Sequence, residues 1–223
     1  NLTVFPDPGV FELNSKPSSQ QEIEANLKFI QTDFFDEGKK QGLAPALFTG
    51  SGHIHIEITK VHPQTVRNFI ADFFNATGLS AGALNEDVYN SVGVGEIPEG
   101  NKQKIRDAFA QFDQKPGAET ETLVRLIEAA YSIPYQDDLP EYMSARNSKR
   151  ASKYFAFSFA SFFTLGTLEV RSLRPQASAE SYLKLLKMFV ARMQFAERNR
   201  LAGILTPIGE MKSIRGNPQA ILE

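Results

Sequence analysis

Cysteine is absent from all 223 residues. That excludes disulfides, thiolate zinc sites, thiolate-ligated iron–sulfur clusters and a cysteine nucleophile. It leaves the compartment open, because a cysteine-free chain is stable in either redox setting. Long apolar runs are missing as well. The most apolar stretch, Tyr154 to Leu165, is shorter than the ~18–20 residues a membrane span needs, and Ser158, Ser161 and Thr164 interrupt it. No basic start leads into an apolar segment of the signal-peptide kind. Positive charge is not in excess either: 24 Lys and Arg stand against 26 Asp and Glu, a net charge of −2. Neither nucleic acid nor a membrane is therefore expected as a partner. Internal repeats and low-complexity tracts are also lacking.

What is present is an ordinary globular balance, 42% apolar and 22% charged. A chain of this length buries roughly 70% of its unfolded surface on folding, enough for a core without covalent staples. One domain over residues 1–223 is expected. The chain opens at Asn1 rather than Met, which leaves open an upstream first strand, and export as an alternative to the cytoplasm.

Local patterns divide the chain into strands and helices. Leu2 to Phe5 and Val10 to Leu13 read as extended segments around Pro6-Asp7-Pro8-Gly9, where Pro fixes φ and Gly permits a positive one. Ser19-Gln20-Gln21-Glu22 reads as a capping box, and Ile23, Leu27, Ile30 and Phe34 continue from it as one helical stripe, with Gly42 as the stop. His53-Ile54-His55-Ile56-Glu57-Ile58 alternates strictly, a strand signature, ended by His62-Pro63; His62 is expected to mark the strand end or serve as a cap. Val66, Phe69, Ile70, Phe73 and Phe74 predict a helix. A loop over residues 79–101 and further helices over Lys102–Phe112 and Glu119–Tyr131 are expected next, with a loop over Ile133–Met143. Lys153–Phe163 and Leu168–Leu173 alternate as strands, and Ser178 to about Asn199 predicts a long helix. Strands set apart in sequence, with helices between and after them, predict an α+β fold with a mainly antiparallel, curved sheet and helices packed on one face.

Side chains two apart in a strand share a face. His53, His55 and Glu57 therefore oppose three isoleucines, Glu169 and Arg171 oppose Leu168 and Val170, and Glu12 and Asn14 oppose Phe11 and Leu13. A sheet with one wet face accounts for this pattern. Two of the chain's three histidines at i, i+2, together with Glu and Arg, also form the set that holds a metal and an anion. If the three strands lie side by side, Glu12, a histidine and Glu169 converge on a divalent cation, and Arg171 clamps a carboxylate or phosphate. Such equipment suits phosphoryl transfer, where catalysis is largely positioning and charge neutralisation.

These residues carry a resemblance. Gly50-Ser51-Gly52-His53-Ile54-His55 resembles the glycine-rich His-x-His strand of the glutamine synthetase and glutamate–cysteine ligase superfamily, including the bacterial amidoligases. Thr167-Leu168-Glu169-Val170-Arg171 is similar to its later Glu-x-Arg strand, and Pro6 to Asn14 is similar to a Pro-Asp-Pro-Gly-x-x-Glu-x-Asn segment of a branch of that fold. The resemblance extends from Pro6 to about Arg192. It implies a glutamine synthetase catalytic-domain-like fold and an ATP-dependent carboxylate–amine ligase that forms an amide through an acyl phosphate. It implies Mg²⁺ or Mn²⁺ as the metal, and small-molecule or peptide carboxylates and amines as substrates. Carried over position by position, Glu12, His53 and Glu169 hold the metal, and Arg171 and Glu57 are catalytic. His55 and Asn14 lie toward the cofactor. Apart from the resemblance, Arg150 in the basic cluster before the Phe-rich strand is a candidate phosphate binder, and Arg174, three beyond Arg171, falls on the opposite strand face unless Pro175 marks a bulge. A homo-oligomer and a cytoplasmic site are also compatible with it. The superfamily's opening Glu-x-Glu strand has no counterpart before Pro6, so two alternatives stay open: a non-catalytic descendant acting as a binding or structural module, and another metal-dependent enzyme built on the His-x-His strand.

Other residues weigh less. Arg146, Lys149, Arg150 and Lys153 read as a solvated basic approach to the Phe-rich strand. Gly93-Val94-Gly95 is a lone glycine pair, and Ser51 lacks the acid–base partner of a nucleophile elbow.

Overall fold

The computed structural model describes residues 2–7, 10–44, 52–75, 99–132, 157–173 and 175–199. Its elements in chain order are β1 (Leu2–Asp7), β2 (Val10–Ser15), α1 (Gln20–Ala25), α2 (Leu27–Phe29), a π-helical stretch (Ile30–Asp36) and α3 (Glu37–Lys40). After them come β3 (Gly52–Glu57), α4 (Pro63–Asn75), α5 (Glu99–Asp113) and α6 (Thr120–Ser132). The last four are β4 (Phe157–Ser158), α7 (Phe162–Leu165), β5 (Thr167–Leu173) and α8 (Ala179–Arg198). The fold is α+β, and every strand pair among the described residues is antiparallel.

The described strands form two sheets, β1-β2 and β3-β5-β4. The strand carrying Glu12 and Asn14 was expected beside the His-x-His and Glu-x-Arg strands; among the described residues it pairs only with β1, in a register from Leu2↔Ser15 to Asp7↔Val10. Closing so local a hairpin costs less chain entropy than reaching a strand much further along the chain.

In the larger sheet, β5 lies between β3 and β4. Its apolar side presents Leu168 and Val170, which join Ile54 and Ile58 in one core with Val66, Phe69, Ile70 and Phe73 of α4. Ile105 and Phe109 of α5, Leu123 and Ile127 of α6, and Leu185 and Phe189 of α8 complete that core. Each such side chain contributes about 1.5–3 kcal/mol when fully buried. The register between β3 and β5 steps from Ile54↔Val170 to Gly52↔Leu173, so His53 faces both Arg171 and Ser172, a β-bulge. The extra residue has a visible effect. Plain alternation would put Leu173 on the side of Glu169 and Arg171, yet it lies in the core, because a bulge re-aims the side chains beyond it.

Three sequence expectations change. The Phe-rich strand does not run to Phe163: β4 ends at Ser158, and Phe162–Leu165 forms one helical turn. Ser158 pairs with Glu169, so residues 159–166 must reverse the chain, and Gly166 completes the reversal at φ +69°. The stripe Ile23, Leu27, Ile30, Phe34 is not one regular helix. It breaks at Asn26, whose side chain donates to Glu22 O at 2.7 Å, and widens into the π-helical stretch, so that only Ile23 of the four is buried. Helix α5 begins at Glu99, inside the expected loop. The capping box on Ser19 and Glu22 forms as read. So does the His62 cap: its Nδ1 accepts from Gln64 N at 3.2 Å, with Pro63 at the first helical position, where a missing N–H costs nothing.

Helix α4 is buried from Thr65 to Phe73, so its polar groups need partners inside the fold. Arg67 makes a bidentate pair with Asp113 at 3.1 and 2.7 Å and stacks on Phe109. Asn68 Nδ2 donates to Ala196 O and Asn199 O, capping the end of α8. Asp72 accepts two hydrogen bonds from Arg192.

Candidate metal centre

The polar side of the larger sheet gathers the site. Strand alternation puts His53 and His55 on one side of β3, and the register sets His55 directly opposite Glu169 of β5. Each of His53, His55 and Glu169 offers one ligand atom within 4.8 Å of the others. Ligands of a tetrahedral cation with bonds of about 2.0–2.2 Å sit about 3.4 Å apart, so side-chain rotation of about an ångström closes the cluster. The imidazole rings meet edge to face, with centroids 5.7 Å apart.

Glu169 is the buried member, at 5% exposure. An ionised carboxylate at that depth needs partners. Arg171 Nη1 donates to its Oε1, and Ser161 Oγ donates to its Oε2 at 3.1 Å. Ser161 reaches it because the chain reverses over residues 159–166. His55 Nε2 stands 3.8 Å from Glu169 Oε1, while His55 Nδ1 meets Thr167 Oγ1 at 3.0 Å. In the tautomer that donates its Nδ1–H to that hydroxyl, His55 turns a bare Nε2 toward Glu169. A metal-ligating imidazole needs that tautomer and an outer hydrogen bond of this kind.

The predicted residues divide accordingly. His53, His55, Glu169 and Arg171 come together. Glu57 shares the strand but not the cluster: its carboxylate accepts from Thr59 Oγ1 and lies 4.0 Å from Lys60 Nζ. The Thr59 hydrogen bond, ahead of Lys60, holds the Glu57 carboxyl below its usual pKa. Asn14 is exposed on β2, opposite Thr3. Glu12 stands on β2 opposite Phe5, and its side chain lies outside what is described. Arg150, Arg174, Ser51, the pair Gly93 and Gly95, and the basic residues Arg146, Lys149 and Lys153 also lie outside the described residues.

Sequence reasoning missed Ser161 and Thr167 as supports, and it ranked His55 behind Glu12 as a ligand. The signal available for the serine was its polarity within the apolar run from Tyr154 to Leu165. An open cleft of about 350 Å³ runs along the edge of β3 toward α8; its floor of Ile23, Ile54, Phe189 and Met193 lies on the helix-facing side of the sheet, away from His53 and Glu169.

Two imidazoles and a carboxylate are the donor set of zinc and non-haem iron centres and also accept Mn²⁺; Mg²⁺ prefers oxygen alone. The side chains thus fit a divalent cation of borderline softness. Compared with known proteins, the chain matches no family model, no curated protein and no solved structure. No helix among the described residues is long and apolar enough to cross a membrane.

Proposed function

We propose that this chain is a divalent-cation-dependent enzyme that joins a carboxylate to an amine at the expense of ATP, on a glutamine synthetase-like catalytic fold. One observation carries the reading: His53, His55 and Glu169 converge within 4.8 Å, with the Arg171 guanidinium on the same carboxylate. A cation beside a guanidinium is suited to holding anionic oxygens while charge shifts between them. The order of the Pro6–Asn14, His-x-His and Glu-x-Arg segments, each similar to a segment of the ligase superfamily, supports the choice of reaction.

In this reading His53, His55 and Glu169 hold the cation, which supplies charge neutralisation at the phosphates. Ser161 and Thr167 orient Glu169 and His55. Arg171 binds the carboxylate substrate or the transferred phosphoryl group. The test is ATP turnover by the full chain with Mn²⁺ or Mg²⁺ over a panel of amino acids and small peptides. Turnover that needs the cation and disappears in Glu169→Ala is the expected result. Absence of both nucleotide binding and turnover in the folded protein contradicts it.

The donor set itself favours a second reading, a zinc- or iron-dependent enzyme in which two histidines and one carboxylate leave open positions for water or substrate. Tightly held zinc or iron in the purified protein, without ATP turnover, selects that reading.

A further inference from the structure

Ser158 is fully buried, and among the described residues its Oγ meets no hydrogen-bond partner. A buried hydroxyl left in that condition costs about 1–3 kcal/mol. An apolar side chain would serve a purely structural strand position better, so the hydroxyl calls for a reason. Its position supplies one. Ser158 pairs with Glu169 across β4 and β5, so the two side chains rise from one face with Cβ atoms about 4.5–5.5 Å apart. On the other flank of Glu169 stands His55, its partner across β5 and β3. Three adjacent strands therefore present His55, Glu169 and Ser158 in a single row. The Glu169 carboxylate does not need Ser158, because Ser161 and Arg171 already hold its two oxygens.

Resting on the reading of His53, His55 and Glu169 as a cation site, we propose that Ser158 Oγ is the fourth protein donor, ligating the same ion as a neutral alcohol. It turns two nitrogens and one carboxylate into a set of two nitrogens and two oxygens. Serine and threonine hydroxyls serve bound Mg²⁺ in this way in phosphate-binding loops.

The absence of native cysteine makes a clean test. In Ser158→Cys the introduced thiol is the only one in the chain, so any thiolate-to-cobalt charge-transfer absorption after adding Co²⁺ to the full chain reports on this position. We expect that absorption, and tighter Co²⁺ binding than in the native chain. Ser158→Ala should weaken Co²⁺ binding about 10-fold or more. Its melting temperature without added cation should match or exceed the native one, since it removes a hydroxyl that has no partner. A Ser158→Cys protein that binds Co²⁺ without the absorption, beside a Ser158→Ala protein of native affinity, overturns the inference and leaves the three-residue site standing. A native chain that binds no Co²⁺ overturns the site reading, and this inference with it.

Discussion

Glu169 concentrates the chemistry of the site in one side chain. It is buried, it faces two histidines, and it takes a hydrogen bond on each oxygen. Removing one partner of a buried ion pair typically costs about 3–5 kcal/mol, because the other charge is left behind. Arg171→Ala should therefore lower the unfolding free energy by an amount near that range in denaturant titration, and added Mn²⁺ should recover part of the loss by neutralising Glu169. Loss without recovery would show that the carboxylate does not face a cation position. At this scale the sequence was readable for His53, His55, Glu169 and Arg171, because strict alternation marks side chains that share a face. It was silent on Glu57 against His55. Both lie on the polar side of β3, and only Thr59 and Lys60, which hold the Glu57 carboxylate at the strand's end, separate them.

At the scale of elements, the site depends on how the chain turns into β5. Gly166 has φ +69°, and a Cβ built there would meet Thr59 Cγ2 at 2.5 Å; its carbonyl accepts from Ile58 N at 3.1 Å. Gly42 has a similar φ of +79° with nothing within 4 Å of such a Cβ. Alanine at Gly42 should cost only the left-handed backbone penalty of about 1–2 kcal/mol. Alanine at Gly166 should cost more and should also weaken cation binding, because it displaces the turn that leads into Thr167 and Glu169. Equal costs at the two positions, measured by urea unfolding, would contradict that account. Helices α4, α5, α6 and α8 were legible from apolar spacing and punctuation. The reversal after Ser158 was not: phenylalanine keeps alternating with small residues through Phe159 and Ala160, past the end of β4, and alternation carries no information about where a chain doubles back. The π-helical stretch escaped for a similar reason, since apolar spacings of three and four suit an α-helix equally well.

Across the whole molecule, the larger sheet divides its labour between two faces. Leu168, Val170 and Ile54 bind it to the helices, while His53, His55, Glu169 and Arg171 occupy the other side, and the bulge opposite His53 lets Leu173 return to the core. Helix α4 anchors the helical layer through Arg67, Asn68 and Asp72, whose partners lie on or beside α5 and α8. The α+β class was legible from the order of strand and helix patterns. Strand adjacency was not, because periodicity reports faces and says nothing about neighbours, and the expected company of Glu12 with β3 and β5 was an inference about neighbours. The central claim is that His53, His55 and Glu169 hold one cation together, and calorimetric titration of the native chain with Mn²⁺ tests it most directly. The account predicts one ion bound per chain, with binding lost in each of His53→Ala, His55→Ala and Glu169→Ala while the proteins stay folded. Mn²⁺ binding that persists unchanged in all of these variants, or that never occurs in the native chain, would contradict it.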